Sequence, residues 1–291
     1  MDFQIIEPKS IKDYQSIEDI QRSAWGMNDI DIVPYRIIIA IHKAGGNVLL
    51  AYANDEPIGF VLGFFGLSGD RLFIHSHQLG VKREYWGRGV GYLLKLKQRE
   101  FALSRNIDLI RWTFDPLIGR NAHLNFFKLG AINNTYLLNV YGEMRDKLNY
   151  GVPSDRFYVE WWVDSKRVKN RLSGIKPPKV SNLINDGISI INSVNLLAEN
   201  YSTFVSSNLD NDDKLLLVEI PYSIEKVKEY SLDEALKWRM ETRKIFETYF
   251  NKGYIAVDFL TEKINGYNRS FYVLIRETKT RVLGSNWWEL I

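Results

Sequence analysis

Two short runs of the chain carry residue types that could do chemistry. The first is Trp86-Gly87-Arg88-Gly89-Val90-Gly91, in which three glycines alternate with other residues between a strand-like and a helix-like stretch. Alternating glycines let the backbone approach a ligand closely and turn successive N–H groups the same way. A helix opening there adds its unpaired amides and the positive end of its dipole, so the pattern favours a phosphate. Tight packing is the other use of such glycines. A dinucleotide-binding turn fits less well, because it wants glycine directly after the strand and here Lys82 to Tyr85 intervene. A Walker-type loop is excluded, since no Gly-Lys-Ser/Thr follows.

The second run, His75-Ser76-His77, lies just upstream and holds two of the four histidines. On an extended strand, residues i and i+2 project from one face. Imidazole can take up a proton near neutral pH, as a general base must. Two same-face imidazoles could also be hydrogen-bonded core residues or half of a metal site. Zinc would want a third ligand, and the chain has neither cysteine nor an HExxH arrangement. Without cysteine, disulfides and thiolate nucleophiles are excluded as well.

Composition narrows the class of protein further. A chain of 291 residues suggests one large domain or two modest ones, and 45% hydrophobic with 25% charged residues is ordinary globular usage. A net charge of +3 gives no warrant for nucleic-acid binding, which needs a clustered basic face. The N-terminus lacks the apolar core of a signal peptide, and no apolar run approaches the roughly 18 residues that span a bilayer. A soluble, cytoplasmic protein with neither nucleic-acid nor membrane partners is expected.

The elements that must position these residues are legible from spacing. Residues 3–6 read as a strand, 11–25 as a helix with Ser10 at its N-cap, and Pro34 as the start of a second helix stopped at Gly45-Gly46. Strands at 47–53, 57–67 and 71–81, parted by turn signals, form an antiparallel meander. A helix follows Gly91 with Leu93, Leu94, Lys97 and Phe101 on one side, then a strand at 107–114, favouring a parallel crossover. A helix at 121–129 and a hairpin pair at 131–141 and 156–163 complete this part.

Periodicity is lost over 164–185, around Pro177-Pro178. The expected organisation is a first domain at 1–165, a linker region at 166–185 and a smaller α+β domain at 186–291. The latter holds a strand at 214–220, one or two helices in 223–251, and a hairpin of 254–260 with 270–275. The fold class is α/β (α+β), with a mixed, mostly antiparallel sheet flanked by helices.

The segment VKREYWGRGVGYLLKLK resembles the signature of the GNAT acetyltransferase superfamily, whose loop reads Gln/Arg-x-x-Gly-x-Gly/Ala. Gly89 and Gly91 fall on its glycines, and Trp86 stands at its first position. The strand order over 3–163 is similar too. The resemblance implies a CoA-dependent N-acyltransferase, most simply of acetyl, acting by direct transfer in a ternary complex. Its acceptor would be the amine of a small molecule or amino acid, its co-substrate acetyl-CoA or another acyl-CoA, and no metal would be needed.

By the same resemblance Leu79 and Val81 pair through their backbone with the pantetheine arm, and Trp86, Gly87, Arg88, Gly89, Val90 and Gly91 cradle the pyrophosphate. The family's next motif places Gly119 at its Asn position, with Asn121 displaced by two residues, and Phe126 at its Tyr position. The usual tyrosine proton donor is therefore missing, and Tyr136 and Tyr141 are its candidate substitutes. His-x-His-x-Leu-x-Val is similar to arylalkylamine N-acetyltransferases, which implies His77 as base, with His75 beside it in a water relay.

Other residues keep two readings each. Asp115 is a substrate contact or a turn aspartate; Glu160 is on the outward face or meets an amine; Arg239 and Arg243 form a solvated helix face or meet an acidic group. The C-terminal half is a degenerate GNAT-like half or an appendage that caps the acceptor site or forms a homodimer. A catalytically degenerate acyl-CoA-binding regulatory or scaffold protein is the rival functional reading.

Overall fold

The computed structural model describes residues 3–142 and 151–291. These form two compact units, one reaching from the N-terminus to Trp112, the other taking up the chain from Thr113 and again from Gly151 to Ile291.

In the first unit the strands β1 (Phe3–Ile6), β2 (Asn47–Ala53), β3 (Glu56–Ser68), β4 (Arg71–Val81) and β5 (Leu109–Phe114, which runs across the boundary) lie in sequence order. The first four are antiparallel neighbours, and β4 and β5 are parallel. Helices α1 (Ile11–Trp25) and α2 (Tyr35–Lys43) precede β2, and α3 (Val90–Leu103) supplies the crossover from β4 to β5. Helix α1 opens on a reciprocal cap: the Ser10 hydroxyl accepts the Asp13 N–H, and the Asp13 carboxylate accepts the Ser10 N–H. Alternation along the strands divides the core. Val48, Leu50, Phe60 and Leu62 pack with Ile17, Ile20 and Ile38, whereas Leu49, Ala51 and Val61 pack with Val90 and Leu94 of α3.

Helix α3 buries a different stripe from the expected one. Val90, Leu94, Lys95, Gln98 and Ala102 are inside, and Lys97 is exposed. Two polar residues, Lys95 and Gln98, therefore stand on the inner face. Apolar periodicity cannot find such residues.

The second unit contains the end of β5, α4 (Gly119–Ala122), a single π turn at His123–Lys128, β6 (Tyr136–Leu137), β7 (Arg156–Trp162), α5 (Lys166–Leu172) and α6 (Val180–Asn185). Then come β8 (Ser189–Ile190), β9 (Asn192–Ala198), β10 (Tyr201–Ser207), β11 (Leu215–Ile220), α7 (Ile224–Tyr230), α8 (Leu232–Asn251), β12 (Tyr254–Ile264), β13 (Tyr267–Arg276) and α9 (Lys279–Gly284). One sheet runs β12-β13-β11-β8, and β9 with β10 forms a separate hairpin.

Several expectations are revised here. The strand foreseen over 131–141 is regular only at Tyr136–Leu137, with single bridges from Ile132 to Glu160 and from Asn133 to Ala256. The stretch expected as a linker at 166–185 holds α5 and α6, the first capped by Ser165. Arg171 of α5 pairs with Asp258 of β12, both buried, which ties this stretch to the later sheet. The two compact units part within β5.

Candidate active site

The glycine loop adopts the backbone its sequence anticipates. After a 3-10 turn at Arg83–Tyr85, Gly87 and Gly89 have φ of 75° and 85°, a left-handed region open to glycine at little cost. A Cβ built on either would meet nothing within 4 Å, so the space above both is open. Gly89 is the N-cap of α3 and has no side chain to satisfy the helix. The first bond of the helix runs from Leu93 N–H to Gly89 C=O, so the amides of Val90, Gly91 and Tyr92 precede the intrahelical ladder. The first turn of α3 holds no acidic residue. Three amides, the helix dipole and an open approach make a cradle that favours a phosphate group.

The strand leading into the loop has a free edge. Pairing of β4 with β5 joins Ile74 to Ile110 and His75 to Arg111, and extends no further among the described residues. On the other side, Lys82 N–H bonds to Ile58 C=O, opposite a register that pairs Gly80 with Phe60 and Leu79 with Val61. Antiparallel peptide groups alternate in direction, so those of Leu79 and Val81 face away from β3. An extended amide-bearing chain can add itself there. The Trp86 indole donates to the Val81 carbonyl at 2.7 Å, folding the loop back on the strand end. Trp86 thus has a structural bond that its place in a phosphate motif did not foretell.

Both histidines of β4 stand together. Their ring centroids are 6.1 Å apart, and each packs on Phe64, at 5.1 Å for His75 and 5.8 Å for His77. The register against β3 slips here: Leu62 faces Gln78 and Gly63 faces Ser76, leaving His77 as the extra residue of a β-bulge. Burial lowers the pKa of His75, helped by His77 and Lys95, to about 4. His77 lies at the surface, and loss of solvation lowers its pKa too. Both rings are therefore neutral at pH 7. His77, the less hindered of the two, is the better placed to accept a proton.

Candidates from beyond Trp112 belong to the second unit. Asn121 is exposed on α4. Phe126, at the family's tyrosine position, is fully buried among Phe114, Phe157 and Tyr272. Tyr136 donates its hydroxyl to Asp155 at 2.9 Å, and burial, followed by that carboxylate, raises its pKa strongly. Tyr141 is half exposed and shares a hydrogen bond with Thr113 at 2.8 Å.

The remaining candidates turn out to be structural ions. Asp115 pairs with Arg239 at 2.5 Å; burial would raise its pKa, but Arg239 and Arg156 more than offset that. Arg239 is buried and Arg243 grips Asp155 through two bonds of 2.9 Å, so the expected solvated face is a core face. Glu160 accepts from Trp162 and Lys279, at 2.8 Å each. Among the described residues no group of three or more His, Asp or Glu side chains could hold a metal, and no helix is long and apolar enough to cross a membrane.

Open cradle, free strand edge and helix crossover stand together in the first unit. Residues 14–131 match the model of the acetyltransferase (GNAT) family. No curated protein matches the chain. Among solved structures, the ribosomal-protein-S18-alanine N-acetyltransferase from Escherichia coli is similar at 12% identity and a TM-score of 0.45, covering 56% of this chain and 94% of its own. The protein yncA of Salmonella typhimurium, solved with its cofactor acetyl-CoA, is similar at 18% identity and a TM-score of 0.44, covering 56% and 94%. A GNAT-family acetyltransferase from Streptococcus pneumoniae gives 15%, 0.44, 55% and 98%. At these levels the likenesses bear on neither substrate nor mechanism.

Proposed function

We propose that this protein transfers an acyl group, most simply acetyl, from CoA to the nitrogen of a small amine or amino acid. The observation that carries the reading is the placing of two neutral imidazoles on one side of β4, a few residues before an uncapped phosphate cradle. In this reading the amides of Val90, Gly91 and Tyr92 hold the pyrophosphate, with Gly87 and Gly89 keeping the approach clear and Arg88 adding positive charge. The outward peptide groups of Leu79 and Val81 hold the pantetheine arm. Bound acyl-CoA supplies an activated thioester, whose acyl carbon gains the C–N bond as its C–S bond breaks and the thiolate departs.

An amine arrives as an ammonium ion and attacks only after losing a proton. His77 takes that proton, directly or through one water, and His75 holds the relay. The depressed pKa of each ring keeps it unprotonated and ready at neutral pH. Tyr136 is left to its bond with Asp155, and we assign no side chain to protonate the thiolate.

One observation favours the second reading, an acyl-CoA-binding regulatory protein. Phe126 fills with core packing the position where the family's pattern has its tyrosine donor. Incubation with acetyl-, succinyl- and other acyl-CoAs and a pooled amine library separates the two. Release of free CoA with acyl-amine mass shifts is expected; thermal stabilisation by CoA without product would establish the binding protein instead. Replacing His77 by Gln should lower turnover about 100-fold, the usual scale for a general base, and remove the acid limb of the rate profile. An unaltered profile would sink the assignment.

A further inference from the structure

Lys95 is 1% exposed, on the inner face of α3. Its Nζ donates to the Ser76 hydroxyl at 3.0 Å and to the Gln98 carbonyl at 2.8 Å, and sits 3.6 Å from the centroid of the Trp112 ring. Gln98 continues the chain to Asn47 of β2 at 3.2 Å. All of these groups belong to the first unit. Withdrawing an amine from water costs several kcal/mol, and a methionine would fill the same volume without that cost. The amine must therefore be assessed by what it holds.

What it holds is the β4 bulge. Ser76 lies between the two histidines, and its side chain is buried towards α3 while the imidazoles pack on Phe64. A bulge leaves one residue without a partner across the ladder, here His77, so the ladder alone does not determine where that side chain points. The bond from Lys95 supplies the missing constraint. It comes from the same helix whose N-terminus forms the cradle, five residues before Lys95.

We propose that Lys95 is a positioning residue: through Ser76 it fixes the bulge that sets His75 and His77 side by side, and so ties the proton acceptors to the helix that holds the acyl donor. The catalytic part of this inference rests on the reading of His77 as base. Positioning can be tested without it. The test uses the full chain with ¹⁵N-labelled histidine, as wild type, Lys95→Met and Ser76→Ala, with acetyl-CoA as probe. Ser76→Ala removes one hydroxyl and carries the test if Lys95→Met does not fold.

The ring resonances of His75 and His77 should shift in both variants, while those of His42 and His123 stay. CoA release at saturating acetyl-CoA should fall tenfold or more, the scale of a misplaced reacting group, with KM for acetyl-CoA within twofold of wild type. Unmoved His75 and His77 resonances in both variants would overturn the proposal. Shifted rings with undiminished CoA release would uphold the positioning and remove His77 from catalysis.

Discussion

Helices α3 and α8 begin in opposite ways. The first turn of α8 is sealed: the Ser231 hydroxyl accepts the Glu234 N–H at 3.1 Å, and Asp233 and Glu234 place carboxylates on the positive end of the dipole. Helix α7 is likewise capped by Ser223, with Glu225 in its first turn. Helix α3 starts on a glycine without cap or acid. The same electrostatic need is met by side chains at α7 and α8 and is met by none at α3.

The connections differ in the same sense. In the first unit the parallel pair β4 and β5 is bridged by α3, whereas the parallel pair β8 and β11 in the second is bridged by the β9–β10 hairpin. No helix N-terminus opens between the latter strands. Yet β11-β13-β12 repeats the order β5-β7-β6, with the last strand lying between its two predecessors. The strand order thus recurs while the crossover helix and its uncapped N-terminus do not.

Buried ionisable groups sharpen the contrast. In the first unit burial pulls His75, His77 and Lys95 towards their neutral forms. The second unit, where burial acts the same way on His123, Arg167 and Glu219, in addition locks charges in pairs, Asp115 with Arg239, Asp155 with Arg243 and Asp258 with Arg171. Asp115→Ala, which strands a buried guanidinium, should cost about 3–5 kcal/mol in urea unfolding. A loss below about 1 kcal/mol would break the contrast and return Asp115 to the candidate substrate contacts.

Gly91→Glu, which gives α3 the kind of first turn α8 has, should have effects of opposite sign. Helix propensity and dipole together raise stability by about 1 kcal/mol, while acetyl-CoA affinity falls on the order of 100-fold. Melting and calorimetric titration of one variant read both. Tight acetyl-CoA binding in that variant would dismiss the cradle.

The smallest effect is on acid stability. His75 has a folded pKa of about 4 against an ordinary 6.5, so as pH falls between these values the unfolded chain takes up the proton first and stability is lost. The loss is at most about 3 kcal/mol, and less because the ring is partly wetted. His75→Gln should flatten that limb of a pH series of melts. Asp115 acts lower: its folded pKa lies below the ordinary 3.8, so its contribution persists until the pH falls beneath that value. Melting curves that show no change between pH 6.5 and 4 would place His75 in a wetter site than described.

Much of the first unit was legible because its signals are local. The Ser10 cap, the meander turns and the alternating strands depend on neighbours in sequence, and β4 falls on 71–81 as expected. The bulge at His77 was not legible, since a register slip depends on what the partner strand offers. Lys95 and Gln98 went unread because apolar periodicity passes over polar residues; a lysine one residue after Leu94, on the side of Val90 and Gln98, was the available sign. In the second unit the alternation of Val194 and Leu196, with the Glu199-Asn200 turn, marks β9 and β10 but was masked by polar residues between. Arg239 and Arg243 read as solvated because their carboxylate partners lie more than 80 positions away in sequence.

The alternation of peptide groups along the end of β4 has a kinetic consequence. Leu79 and Val81 present their amide hydrogens away from β3, while the Gly80 amide is directed into the ladder. Exchange with deuterated water should therefore run along one strand as a comb, fast, slow and fast within three consecutive residues. A bound pantetheine arm would silence the fast teeth and leave the slow one unchanged.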